Sequence, residues 1–219
     1  MTRLELRTLM LSWLDDDQSG YFTAAQCNVW LNLAQRQVQM MLLQAGENYY
    51  MKPVTTTLVY SQPDYVLPSD FMVEHRLEIV LSGTGTTENR QPLMPITTNQ
   101  QDLIAIGLGN PTHYYIKKDR VTISPTPSTA LVMRLYYSPR VADMTSDSDS
   151  PDVPEQYMEF VAILAAYDGF IKDDRAPANL VLKKEKYETM LKQMSEDRLQ
   201  DLSRQVVMVN DYDALGPFY

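Results

Sequence analysis

The stretch Thr23 to Gly46, TAAQCNVWLNLAQRQVQMMLLQAG, constrains the fold more than any other part of the chain. Cys27, Trp30, Leu31, Ala34, Val38, Met41, Leu42 and Ala45 recur at steps of three and four. That spacing lays one apolar stripe along a helix of roughly six turns, with Asn28, Asn32, Gln35, Arg36 and Gln39 on the other side. Thr23 followed by Gln26 forms a capping box, Phe22 stands at the hydrophobic-staple position, and Gly46 supplies a left-handed stop. A stripe of this length needs other apolar helices to pack against, and the chain must bring them from elsewhere.

Helical periodicity occurs only at the two ends of the sequence. Before the long helix, Thr2 and Glu5 make a second capping box, and Leu6, Leu9, Met10 and Trp13 define a short helix ending near Leu14. After Pro154, Tyr157, Phe160, Val161, Leu164 and Ala165 line one face of a helix reaching about Ile171. Lys172 to Pro177 breaks it, and a further helix from about Ala178 to Leu202 carries Leu180, Tyr187, Leu191 and Met194 inward, with Glu188 and Lys192 as an outer pair.

Between these ends the period drops to two. Val54, Leu58 and Tyr60 alternate, as do Phe71, Val73, His75, Leu77, Ile79 and Leu81, with Glu74, Arg76 and Glu78 facing the other way. Strands are also predicted over His113–Ile116, Arg120–Ile123 and Ala130–Tyr137, separated by Lys117-Lys118-Asp119 and Pro125-Thr126-Pro127. Thr98 to Leu108 has room for a helical turn or two. The fold class is therefore α+β. An antiparallel helical bundle (1–50 and 151–204) carries an inserted small antiparallel β barrel or sandwich (51–145), followed by an extended C-terminal arm (205–219).

Few residues offer chemistry. DDDQSGYFTAAQ, Asp15 to Gln26, has the EF-hand spacing of Asp15, Asp17, Ser19 and Gly20, but Gln26 stands where a bidentate Glu is required. Two readings follow: an ordinary interhelical turn before the Thr23 cap, which is favoured, or a calcium-dependent binding module. Ser82 to Arg90, SGTGTTENR, lacks the spacing of a phosphate loop and reads as a hairpin tip. Thr145 to Asp152 reads as a solvated acidic linker. His75 and His113 belong to no catalytic motif. His75, on the apolar face, is expected as a hydrogen-bonded core histidine, and Cys27 as a small core residue. One cysteine and two scattered histidines give no zinc spacing, so no cofactor or metal and no enzymatic role is expected.

A net charge of -9 argues against a protein that wraps phosphates, although an acidic surface suits a channel through which DNA passes without adhering. No apolar run nears the ~18 residues of a membrane span, and no leader pattern opens the chain, so a soluble cytosolic product is expected. The last residues are unusual. Val206, Val207, Val209, Tyr212, Leu215, Phe218 and Tyr219 form an apolar tail spaced by Asn and Asp. Such a tail is wasted in water, so it docks either on its own domain or, the favoured reading, on a neighbouring subunit or partner.

Taken in order, FTAAQCNVWLNLAQRQVQ, LPSDFM with the strand after it, PTHYYIKKDRVTISPTP, LVMRLYYSPR and PDVPEQYMEFVAILAAY resemble the bacteriophage head-to-tail adaptor (connector) proteins. The likeness runs over nearly the whole chain. It departs at Lys117-Lys118-Asp119, where a glycine-containing turn is expected. The resemblance implies a structural virion protein assembled in the host cytoplasm. It would form a homo-oligomeric, dodecameric ring below the portal, with the bundle toward the portal protein and the β module toward the tail or nozzle proteins. It also implies an arm, Val206 to Tyr219, that climbs into the portal. Twelve copies at -9 sum to about -108, a field that discourages DNA from sticking to the wall. The uncharged polar face of Asn28, Asn32, Gln35 and Gln39 is expected as a subunit or portal contact.

Overall fold

A computed structural model describes residues 1–16, 20–46, 48–83, 87–97, 107–173, 179–193 and 196. The chain divides into two compact units: Met1–Tyr49 with the described residues from Val141 on, and Tyr50–Arg140. It is a mixed helix and sheet protein.

The first unit holds helices α1 (Arg3–Trp13), α2 (Ala24–Gln44), α3 (Met158–Lys172) and α4 (residues 179–193), with a short 3-10 turn, Glu155–Tyr157, leading into α3. Both capping boxes are formed. Thr2 Oγ1 accepts from the Glu5 N–H and Thr23 Oγ1 from the Gln26 N–H, while each N3 side chain returns to its cap residue's N–H. Gly46, at φ 75°, ends α2 in the left-handed conformation that glycine adopts without steric cost. Leu6 and Met10 of α1, Leu31, Val38 and Leu42 of α2, and Phe160 and Ile163 of α3 are fully buried, and α1, α2 and α3 pack pairwise. The Cys27 thiol is buried with them, and burial pushes its pKa upward.

The centre of this unit is α3, not α2. Every residue from Phe160 to Ala166 is buried, so the helix is enclosed all round rather than along the single face its periodicity indicates. The run FVAILAA has no polar residue to give it a wet side. A side chain at Gly169 would place its Cβ 3.0 Å from Leu14 Cδ1, so the chain after α1 approaches α3 closely only because that residue is glycine.

Among its described residues the second unit has ten strands. Sheet one, in the order β1-β10-β3-β4, joins β1 (Lys52–Thr57), β10 (Val132–Pro139), β3 (Phe71–Ser82) and β4 (Asn89–Pro92), all antiparallel. Sheet two, in the order β2-β8-β7-β5, joins β2 (Asp64–Val66), β8 (Arg120–Ser124), β7 (His113–Lys117) and β5 (Met94–Pro95). A two-stranded piece pairs β6 (Leu108–Gly109) with β9 (Thr126–Pro127). Leu77, Ile79, Met133 and Leu135 from sheet one share a buried cluster with Tyr65, Tyr114, Val121 and Ile123 from sheet two.

Three expectations need correction here. Neither four-stranded sheet closes on itself, so there is no closed barrel, and the β5–β7 and β6–β9 pairings are parallel. Tyr60 lies beyond β1 and is exposed. His75 is exposed rather than in the core. The register of β3 against β10 slips between Arg76 and Glu74, which leaves His75 unpaired and turned outward, its Nε2 2.7 Å from Ser138 Oγ. Residues 98–106, where helical turns are expected, lie outside the described residues. The β7–β8 turn is the tight hairpin expected, but Lys118 takes the positive φ, 57°, that a glycine would adopt more easily.

Candidate partner interface

The residues assigned from sequence to partner contacts fall into two groups. The arm, Val206, Val207, Val209, Tyr212, Leu215, Phe218 and Tyr219, lies outside the described residues. The polar face of α2 is in full view, and it is occupied by the chain's own segment Val141–Asp149.

Gln35 and Gln39 are fully buried despite standing on the polar side of α2. Gln35 Nε2 donates to the Ala142 carbonyl at 2.8 Å and to Asn32 Oδ1 at 3.2 Å. Gln39 Oε1 accepts the Val141 N–H at 3.2 Å. Asn32 clamps Met144 from both sides, donating to its carbonyl and accepting its N–H. Asn28 Oδ1 accepts from Arg7 Nη1 at 3.0 Å. These amides supply backbone partners to an irregular segment that has no sheet or helix to satisfy it. The face is therefore an internal seam, not the outward surface that its polarity indicates.

Charge fastens the rest of that segment. Arg3 and Arg7 both reach Asp147, at 2.8 and 2.9 Å, and Arg36 reaches Asp143 at 2.5 Å. Asp149 accepts the N–H groups of Thr145 and Ser146, so the stretch expected as a solvated acidic linker is a structured turn held against α1 and α2. Hydrogen bonds from Arg7 and then Arg3 hold the Asp147 carboxyl at a pKa of about 2. A folded-state pKa below the ordinary value of 3.8 means that the contribution is complete above about pH 4 and is lost as pH falls through about 2. Asp147→Asn is expected to lower stability at neutral pH and to flatten the loss between about pH 4 and 2, measured by urea unfolding across that range.

The EF-hand-like loop is used internally where it is described. Asp16 is buried, and its carboxylate accepts the N–H groups of Tyr21 at 3.1 Å and Phe22 at 2.7 Å. This fixes the approach to the Thr23 cap, with Phe22 edge-on to Trp30. Asp17 and Ser19 lie outside the described residues. Among the described residues no group of three or more His, Cys, Asp or Glu side chains could hold a metal ion. No helix there is long and apolar enough to cross a membrane.

Sequence reasoning missed a second charged assembly, on the face of sheet one that turns away from its core cluster. Glu78 is fully buried, in contact with Arg76, 3.7 Å from both Arg90 and Arg134, and 3.2 Å from the Tyr136 hydroxyl, which donates to it. Arg134 also forks onto Glu88 at 3.0 and 3.1 Å, and holds that carboxyl below its usual range. The strand alternation marks Glu78 only as outward-facing. Three arginines on β3, β4 and β10 fold over it and exclude water.

What this protein offers is thus surfaces and fastened segments: two compact units, a helical one with a strapped seam and a β unit with a charged outer face. The family model described as SU10 adaptor protein matches residues 1–209, and the chain belongs to that family of phage head-to-tail adaptors. Membership makes it a structural component of a phage virion, with portal and tail proteins as the partners such an adaptor binds. The comparison with curated proteins returns no match.

Proposed function

We propose that the protein is a ring-forming neck component that seats on the portal and receives the tail, with DNA passing through its centre. The family match over residues 1–209 carries this reading. The division into a helical unit and a β unit supports it, since one unit can face each neighbour. The helical unit contacts the portal, the β unit faces the tail, and the arm from residue 205 on docks in the portal through Val206, Val207, Val209, Tyr212, Leu215, Phe218 and Tyr219. A closed ring requires that each copy present one surface to a different surface of the next, and twelve copies is the number implied by resemblance. The net charge of -9 per copy keeps the passage unattractive to DNA.

Silencing the gene in the phage is the test. The expected result is DNA-filled heads and free tails accumulating separately in lysates, with complementation restoring joined particles. Normal tailed virions without the protein would exclude the reading.

A further inference from the structure

Residues 50–140 hold eight Lys and Arg against seven Asp and Glu, a net of +1, so the remaining residues carry -10 and account for all of the chain's negative charge. Four of the eight cations, Lys52, Arg76, Arg90 and Arg134, are held by Asp70, Glu78 and Glu88. Three of the others, Lys117, Lys118 and Arg120, meet at the tip of the β7–β8 hairpin with only Asp119 among them. All four tip residues are exposed, and among the described residues none of the three cations makes an ion pair. The tip is nonetheless fixed in place. Lys117 pairs with Arg120 across the ladder, and the Asp119 carbonyl accepts the N–H of the buried Leu67 at 2.9 Å. Lys118, at φ 57°, stands where a two-residue hairpin loop commonly carries glycine, and a lysine there is less stable than a glycine. Nothing in the described fold offsets that cost.

We infer that this hairpin tip is an ion-pairing knob that a neighbouring copy of the chain receives on its acidic helical unit. The inference rests on the ring reading above and assigns one contact within it. Charge complementarity selects the occupant. Copies at -9 repel one another as wholes, and opposite signs on two units of the same chain let them approach in one orientation. A ring contact joins two different surfaces, which a cationic tip on one unit and an acidic surface on the other supply; tip against tip would set like charges together. Asp15, Asp152, Glu155 and Glu185 are exposed carboxylates of the helical unit that make no ion pair among the described residues. Exposed ion pairs hold copies together only weakly. What the tip supplies is register and rate of approach, and salt weakens both.

The test is zero-length carbodiimide crosslinking of purified phage necks, which joins a lysine amine to a carboxylate it already touches. The expected product is a covalent dimer of this chain, with mass spectrometry linking Lys117 or Lys118 to a carboxylate in residues 1–49 or 141–219 of the second copy. Links from these lysines to the portal, to a tail protein or within one copy would overturn the assignment, as would no link at all. Dimers that form only after nuclease removes the DNA would give the tip to the phosphate backbone instead. A double variant, Lys117→Gln with Lys118→Gly, removes two charges and relaxes the strained φ. It is expected to melt no lower than the unchanged chain while the yield of joined particles falls at least tenfold, and an unchanged yield would overturn the inference. Electron micrographs of the unchanged necks separate the two claims. A ring without these links refutes only the tip contact, whereas the absence of a ring refutes the reading beneath it.

Discussion

Deleting residues 205–219 is expected to abolish capture by the portal while leaving the melting temperature of the chain unchanged. The removed segment holds nine hydrophobic side chains between Val206 and Tyr219, and among the described residues the buried core ends at Leu191. Burying a large apolar side chain contributes about 1.5–3 kcal/mol, and fixing each backbone residue of the arm costs about 1–2 kcal/mol. The net gain therefore comes from the few side chains that fill pockets fully, with Tyr212, Phe218 and Tyr219 the best placed by type. Losing two such anchors at about 2 kcal/mol each weakens binding by at least about a hundredfold. Portal binding by sedimentation, beside a thermal melt of the truncated chain, checks both halves. A truncated chain that still binds portal would remove the arm from the account.

Glu78→Ala is expected to destabilise the β unit by about 3–5 kcal/mol, the usual consequence of removing one member of a buried charged group. Glu78 has no exposed side-chain surface; Arg76 and Arg90 reach solvent, but Arg134 is only 17% exposed and keeps Glu88 as its one remaining carboxylate among the described residues. Lys52→Ala supplies the contrast. Lys52 and Asp70 pair at 2.7 Å with side chains 47% and 39% exposed, and breaking such a surface pair costs at most about 1 kcal/mol. Urea unfolding of both variants measures the difference. Equal effects would mean that the Glu78 assembly is no more than a surface cluster.

The parts of the fold read well from sequence are those fixed by neighbours along the chain. Thr2 with Glu5 and Thr23 with Gln26 mark helix starts because a cap needs only residues three apart. The hairpin of β7 and β8, and the alternation of Met133, Leu135 and Tyr137 in β10, are likewise local. What escaped depends on distant partners. Gln35 and Gln39 read as an outward polar face for a subunit or portal contact because amides are polar, yet the Ala142 carbonyl and Val141 N–H, more than a hundred residues away, make burial affordable for them. Glu78 escaped because three arginines from three strands enclose it, and His75 because a one-residue slip against β10 turns it outward. With the amides of α2 turned inward, Val29, Leu33 and Met40 are left on its outer side beside the Arg36–Asp143 pair.

The central claim, a ring that joins portal to tail, is tested most directly by electron cryomicroscopy of the purified chain mixed with its phage's portal complex. The account predicts a second ring of density on the tail-side face of the portal, with an open axial channel and one copy of the two-unit chain per repeat. A portal that stays bare under saturating protein, or single copies scattered over the capsid surface, would contradict it.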